Sequence, residues 1–316
     1  MARRALHGLV LEHRCAAGVD PAELLLGHVA AAAPGAPAGL VIETEVVAAR
    51  TRPEGPPDQT FQGAELRLRE GGALRVDTSL ATVTRRAEHL RIEVPAPLDE
   101  AQAWAVAHLP LLLALSAVLR ERGLHHLHAG AVVDPGGRVL LLPGPSGCGK
   151  STLVAALVAA GCAYLGDDVV LLAAGPRVLA LPRAFHLAPR SAAAIPGAPA
   201  VPSDRTTALG KLALDPRALF PGRERHEAGA PAALVFPRVA DRDDTALHPL
   251  SPAAALGRLA ESSALVAVGA LPGVRAHLAL LGAVADGART FEADLGRDLL
   301  ANPVRTAGRV LGQALP

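Results

Sequence analysis

The octapeptide Gly144-Pro-Ser-Gly-Cys-Gly-Lys-Ser151 constrains the fold more than any other part of the sequence. It matches the pattern G-x-x-x-x-G-K-[ST] without a mismatch, and this pattern needs a strand before it and a helix after it. Both are indicated, because residues 139–142 are an apolar run and residues from Lys150 to about Ala160 are rich in Ala, Leu and Val. The sequence therefore predicts an α/β core built around a strand, a glycine-rich loop and a helix.

The residue types in this loop indicate phosphate binding. Glycines let the backbone curl so that several N–H groups point into one concavity, and the positive end of the following helix adds to their field. A lysine at position 150 is expected to contact the β- and γ-phosphates, and the Ser151 hydroxyl is expected to bind Mg²⁺. The predicted nucleotide-binding residues are Gly144, Pro145, Ser146, Gly147, Cys148, Gly149, Lys150, Ser151 and Thr152, with ATP and Mg²⁺ as the expected cofactors.

An acidic pair, Asp167-Asp168, follows Lys150 by seventeen and eighteen positions. One helix of about three turns, Gly161 and a short strand fill this interval, so the chain is expected to return beside the loop. Carboxylates placed there can bind Mg²⁺ or accept a proton from an incoming hydroxyl. The alternative is a surface turn that carries two solvated acids.

A histidine, His128, is predicted to start the strand that precedes the loop strand. Together with His125 and His126 it suggests a metal site, but no cysteine or acidic residue stands at ligand spacing. From the residues alone, His128 is more typical of a packed core histidine.

Three segments resemble, in order and spacing, the catalytic domain of HPr kinase/phosphorylase and its serine-kinase-like relatives. They are His128-Ala-Gly, Gly144-Pro-Ser-Gly-Cys-Gly-Lys-Ser-Thr152 and Gly166-Asp-Asp-Val-Val170, and the resemblance covers about residues 124–182. It implies an α/β fold with a P-loop kinase core of the HPr-kinase/PEP-carboxykinase-like type. It also implies that Lys150 and His128 act beside the phosphates, that Asp167 is the base for an acceptor serine, and that Asp168 joins Ser151 at magnesium.

The chain departs from the authentic HPr enzyme in two respects. Thr152 stands where that enzyme carries Glu, and no Arg-Gly-Leu-Gly-type signature follows, with Arg205 and Lys211 as the nearest basic residues. HPr itself is therefore not the expected substrate. Relatives with a β-rich N-terminal part include kinases encoded beside peptide-modification genes, so the resemblance favours a peptide serine, while a protein or small-molecule hydroxyl stays open.

The domain organisation follows from the change of pattern along the chain. Residues 1–97 are predicted to be a β-rich N-terminal region, residues 98–123 a connecting helix, and residues 124–316 the catalytic domain. In the first region, strands are predicted over residues 9–11, 40–47, 65–69, 73–77 and 90–94, with Gly71-Gly72 as a hairpin turn. The helix is expected from about Asp99 to Arg122 with a kink at Pro110, and residues 192–207 are expected to form a loop.

Composition excludes several classes of function. With 31 basic and 30 acidic residues the net charge is +1, so neither nucleic acid nor an anionic membrane is an expected partner. Three cysteines without C-x-x-C spacing argue against a disulfide framework and favour the cytoplasm. The apolar stretch from Ala103 to Leu119 is interrupted by His108 and Pro110, which favours a buried helix over a membrane span. A homo-oligomer is left open.

Two functional hypotheses remain. The first is a kinase that transfers the γ-phosphoryl group of ATP to a serine or another hydroxyl with Asp167 as base. The second is a nucleotide-binding switch or accessory protein that transfers nothing. A transport ATPase of the ABC class is excluded, because the sequence has no LSGGQ-like signature and its acids follow the lysine too closely.

Overall fold

The computed structural model describes residues 1–16, 18–51, 53–69, 73–198, 205–206, 210–263 and 273–316. The described chain divides into two compact units, Met1–Arg122 and the residues from Gly123 to Pro316. Both units contain helices and sheets, so the protein is of the mixed α/β class with several sheets. The long helix that begins after Asp99 belongs to the first unit.

The strands of the first unit pair, over its described residues, into an eight-stranded sheet of order β1-β2-β3-β8-β7-β6-β5-β4. Their bounds are β1 (Ala2–Leu6), β2 (Leu9–Cys15), β3 (Leu40–Val46), β4 (Gln59–Phe61), β5 (Ala64–Arg69), β6 (Ala73–Asp77), β7 (Thr82–Arg86) and β8 (His89–Val94). Each of the five predicted strands overlaps one of these, whereas β1, β4 and β7 were not predicted. The predicted turn at Gly71-Gly72 lies outside the described residues.

The described part of the first unit also contains three α-helices. They are α1 (Pro21–Leu26), α2 (Glu100–Val106) and α3 (Leu112–Glu121), and a π-helical turn (Ala107–Leu111) joins the last two. Asp99 begins α2 with a capping box, in which its side chain accepts from the Gln102 N–H and the Gln102 side chain accepts from the Asp99 N–H. The predicted kink at Pro110 corresponds to this π-helical turn, which contains the proline. Proline cannot donate the α-helical hydrogen bond, so the helix is irregular there.

The continuous helix from Glu100 to Glu121 is long and apolar enough to cross a membrane by composition alone. However, 67% of its apolar 18-residue window is buried inside the protein. Its C-terminal half packs on β6 and β7. Such burial is typical of the core helix of a soluble protein, as the sequence predicted.

The second unit carries the elements around the glycine-rich loop. Its strands are β9 (His125–Leu127), β10 (Ala129–Val133), β11 (Val139–Pro143), β12 (Ala163–Gly166), β13 (Val170–Ala173), β14 (Arg177–Ala180), β15 (Phe185–Leu187), β16 (Arg205–Thr206), β17 (Leu212–Leu214), β18 (Glu227–Ala228), β19 (Pro231–Val239), β20 (Ala246–Pro249) and β21 (Arg289–Leu295). Its helices are α4 (Lys150–Ala159), α5 (Pro189–Ala194), α6 (Pro216–Leu219), α7 (Pro252–Ser262), α8 (Val274–Gly287), α9 (Asp298–Ala301) and α10 (Pro303–Ala314).

A six-stranded sheet of order β12-β10-β11-β19-β21-β20 is the centre of the described part of this unit. Alternate residues of β11 enter two cores on its opposite faces: Leu140 and Leu142 pack with α4 and α10, and Val139 and Leu141 pack with α7 and α8. Strands β11, β19 and β21 run parallel, so their carboxyl ends meet at one edge of the sheet. Smaller sheets, β18-β14-β13-β9 and β15-β17-β16, pair the remaining described strands.

Two predictions about this unit were wrong in detail. His128 does not start the strand that precedes the loop strand, because the chain leaves the four-stranded sheet after Leu127 and enters the six-stranded sheet at Ala129, with His128 between them. Residues 192–194 are helical, in α5, because Pro189 starts a turn of helix that buries Ala192, and residues 205–206 form β16 rather than loop. Residues 199–204 and 207 lie outside the described part.

Candidate active site

The chain passes twice between the six-stranded sheet and the four-stranded sheet β18-β14-β13-β9. Both connections carry predicted site residues. His128 lies between β9 and β10, and Asp167-Asp168 lie between β12 and β13. Because β9 pairs with β13 and β10 pairs with β12, the two connections are neighbours. The His128 Nδ1 atom accordingly lies 3.3 Å from Asp168 Oδ1. The pairing of strands therefore brings together residues that are about forty positions apart.

The glycine-rich loop (Gly144 to Ser151) starts beside the first connection. Ala129 pairs with Pro143, and the Gly144 N–H points towards the His128 carbonyl, with an N···O distance of 3.5 Å. Gly130 permits this approach, because a Cβ atom there would lie 2.6 Å from Val154 Cγ2 of α4. The small residue after His128-Ala is therefore required by the packing of the helix against the strand.

Gly149 precedes α4 in a left-handed conformation, with φ of +98°. A Cβ atom at this position would lie 2.5 Å from Leu295 Cδ1, so only glycine fits the end of the loop. Gly147 also has a positive φ, +85°, but an added Cβ would meet no heavy atom within 4 Å. A side chain at Gly149 would therefore meet both backbone strain and a steric collision, whereas a side chain at Gly147 would meet backbone strain alone.

The Gly149→Ala variant is expected to lose about 3 kcal/mol of the free energy of unfolding, from left-handed strain together with the collision against Leu295. The matched control, Gly147→Ala, has strain alone and is expected to lose about 1 kcal/mol. Urea unfolding followed by far-ultraviolet circular dichroism measures both. Equal losses in the two variants would contradict the close contact between the loop and β21.

Lys150, the first residue of α4, folds its buried side chain back under the loop. Its ammonium donates to the carbonyls of Gly144 at 2.7 Å and Pro145 at 2.9 Å. It also lies 3.0 Å from His128 Nε2. The positive charge is thus held against the backbone of the first two residues of the loop.

His128 links this lysine to the acidic pair. An ammonium group can only donate, so Nε2 accepts from Lys150 and the ring carries its proton on Nδ1, facing Asp168. Burial lowers the pKa of His128, and the Lys150 and Arg183 charges lower it further, against the opposing effect of Asp168. His128 is therefore neutral at pH 7.

Asp167 is the most unusual titratable group of the site. Its side chain is 4% exposed, and neither carboxylate oxygen meets hydrogen-bonding geometry with any group among the residues described. Burial, followed by the charge of Asp168, raises the pKa of Asp167 to about 7, while the Ser151 hydroxyl, Lys150 and Lys211 act in the opposite direction. A carboxylate with a pKa near neutrality is suited to exchange protons at physiological pH.

Asp168 behaves in the opposite way although it is the next residue. Burial alone would raise its pKa, but His128, which is protonated at the acidic pH where Asp168 titrates, acts with Arg183, Lys150 and His186 to hold the pKa of Asp168 well below its usual range. Arg183 Nη1 lies 3.5 Å from its Oδ2. Two adjacent carboxylates whose pKa values are pushed apart can take different roles, one as a permanent anion and one as a proton acceptor.

Arg183 is a residue of this site that the sequence analysis did not identify. Its guanidinium is 6% exposed, and its Nη2 atom has no hydrogen-bond partner within the described ranges. The pairing of Val170 with Ala180 brings the segment after β14 to the acidic turn. In the sequence, this arginine lies just beyond the segments that carry the family resemblance, which end at about residue 182.

The other predicted residues fall around this centre. The Thr152 hydroxyl lies 2.8 Å from the Ser191 hydroxyl of α5, and Cys148 lies with its sulfur 4.0 Å from the Lys150 ammonium. Lys211 is close enough to lower the pKa of Asp167. The side chain of Arg205 lies outside the described part of the structure.

The oxygen atoms that the protein supplies at this site suit a magnesium ion only if phosphate oxygens complete its coordination. Among the described residues, no group of three or more His, Cys, Asp or Glu side chains could hold a metal ion. His125 and His126 therefore belong to no such group. Magnesium is usually held by one or two carboxylates together with phosphate oxygens and water. The Ser151 hydroxyl and the Asp168 carboxylate, beside the buried Asp167 carboxylate, fit that requirement.

No protein-family model matches the chain, and a search among curated proteins finds no match. The function must therefore be argued from the chemistry of the site.

Proposed function

We propose that this protein is an ATP-dependent kinase of the P-loop type that transfers the γ-phosphoryl group to a serine or another hydroxyl of a peptide, protein or small molecule. The core would then be of the HPr-kinase/PEP-carboxykinase-like kind, distinct from the authentic HPr enzyme. The observation that carries the proposal is Asp167, a buried carboxylate with a pKa raised to about 7, beside a glycine-rich loop and its lysine.

The loop and lysine support the binding half of this proposal. Backbone N–H groups at the start of α4 and the nearby Lys150 ammonium are the donors that the β- and γ-phosphates require. Arg183, buried with a free Nη2 donor, adds a second cation on the side of the acidic pair. Magnesium, held by the Ser151 hydroxyl and the Asp168 carboxylate, would offset the charge of the triphosphate.

The acidic pair supports the transfer half. The acceptor hydroxyl gives its proton to Asp167 while the hydroxyl oxygen forms a bond to the γ-phosphorus. At the same time, the bond from that phosphorus to the β,γ-bridging oxygen breaks and ADP is released. Lys150 and Arg183 stabilise the negative charge on the phosphoryl oxygens. Neutral His128 holds the lysine and Asp168 in place through its two ring nitrogens.

A transfer assay tests the proposal. Purified protein is incubated with Mg²⁺ and [γ-³²P]ATP, against a panel of serine-containing peptides, a phosphocarrier protein and small hydroxyl compounds, while calorimetry measures ATP binding. Label in an acid-stable, base-labile phosphoester is the expected result. Tight ATP binding with no label across the panel would instead favour the nucleotide-binding switch.

The dependence of transfer on pH follows from the two carboxylates. Asp167 must be ionised to accept a proton, so kcat/KM is expected to rise through a midpoint near pH 7. The Asp168→Asn variant removes a charge that raises the pKa of Asp167, so its midpoint is expected at lower pH, whatever its residual rate. An unchanged midpoint in this variant would mean that another group is the base.

A further inference from the structure

One exposed apolar side chain lies directly beside the glycine-rich loop. Val239, the last residue of β19, is 69% exposed. Its Cγ2 atom lies 3.6 Å from the position that a Cβ atom would take on Gly149. Exposed valines need no explanation in general, but this one stands at the edge where the parallel strands end, which is where open α/β sheets bind ligands.

The loops that follow β19 and β21 are tied together into a fixed shelf, residues 239–245 and 295–298. The Ala240 N–H donates to the Leu295 carbonyl at 3.0 Å, and the N–H groups of Arg297 and Asp298 donate to the Arg242 and Asp243 carbonyls, both at 2.9 Å. A Cβ atom on Gly296 would lie 2.7 Å from the Asp243 carbonyl oxygen. The shelf therefore has little room to rearrange beside the loop.

The shelf lies on the opposite side of the loop from the acidic pair. In the order β12-β10-β11-β19-β21, Asp167 follows β12, the loop follows β11, and the shelf follows β19 and β21. A triphosphate chain whose γ-phosphate faces Asp167 therefore directs its α-phosphate, and whatever is attached to it, away from β12. The shelf is the surface on that side.

Resting on the proposed function, we propose that the nucleoside half of the nucleotide lies on the shelf of residues 239–245 and 295–298, with the base against Val239. Two carboxylates on the same shelf, Asp241 and Asp243, have side chains 92% and 87% exposed. They are acceptors suited to ribose hydroxyls. Arg297 forms ion pairs with both.

The test compares binding of ATP with binding of inorganic tripolyphosphate, which has the phosphates but no nucleoside. The Val239→Ser variant adds no charge beside the loop, and it is expected to weaken ATP binding about fivefold while tripolyphosphate affinity stays the same. The Val239→Phe variant is expected to strengthen ATP binding several-fold through stacking on the base. Val304→Ser, at another exposed valine on α10, is the matched control and is expected to change neither affinity.

The two ligands separate failure of the inference from failure of the proposed function. If tripolyphosphate binds wild-type protein but the Val239 variants change neither affinity, or change both equally, the nucleoside lies elsewhere and the inference is overturned. If neither tripolyphosphate nor ATP binds the wild type, the loop holds no nucleotide and the proposed function itself is overturned. Isothermal titration calorimetry on the full chain with Mg²⁺ gives both affinities.

Discussion

The Asp167→Asn variant is expected to transfer phosphoryl groups about 10³-fold more slowly than the wild type while it binds ATP with nearly unchanged affinity. The amide has the shape of the carboxyl group but cannot accept the proton of the acceptor hydroxyl. The rate of transfer from [γ-³²P]ATP measures the loss, and calorimetry measures binding. Full transfer by this variant would show that Asp167 is not the base.

Stability distinguishes this loss from simple misfolding. The pKa of Asp167 is about 7 in the folded protein and near the ordinary value of 3.8 in the unfolded chain, so the wild type loses stability as pH rises between these values. Asparagine does not ionise. Above pH 7 the variant is therefore expected to be more stable than the wild type, by on the order of 4 kcal/mol. Urea unfolding at pH 5 and pH 8 measures the difference, and lower stability of the variant at pH 8 would mean that the carboxylate has a structural partner.

The fold could be predicted where strands are apolar on one face. In β3 and β8, buried residues such as Ile42 and Ile92 alternate with charged ones, so the two strands were predicted nearly at their observed bounds. Two of the three missed strands, β1 and β4, are the edges of the eight-stranded sheet, whereas the third, β7, is central. An edge strand pairs on one side only and carries more polar residues, so its pattern is weaker.

The site could be predicted where its residues are close in sequence to the glycine-rich loop. The spacing from Lys150 to Asp167 spans one helix and one strand, and such local units have nearly fixed lengths. Arg183 could not be found in this way, because the register of β13 against β14 brings it to Asp168. The raised pKa of Asp167 could not be predicted from the sequence either, since it depends on burial by residues from the whole unit.

The Lys150→Met variant is expected to weaken ATP binding about 100-fold. The methionine keeps the length and apolar stem of the lysine, but the ammonium that the Gly144 and Pro145 carbonyls hold is lost. Lys211→Met is the control, because it removes the other lysine of the chain, and its effect on ATP affinity is expected to be less than about tenfold. Similar losses in the two variants would contradict a direct contact between Lys150 and the phosphates.

The scarcity of lysine allows the same contact to be located chemically. An acyl-phosphate derivative of ATP transfers its acyl group to an amine that lies beside the terminal phosphates, and the chain offers only Lys150 and Lys211 as lysine amines. The ammonium of Lys150 is held by oriented acceptors under the loop, so the acyl group is expected on Lys150 and is expected to disappear with excess ATP. Peptide mapping by mass spectrometry separates the two lysines. Labelling of Lys211 alone would place the terminal phosphates nearer to β17 than to the loop, and the direction of the nucleotide across the sheet would have to be reversed.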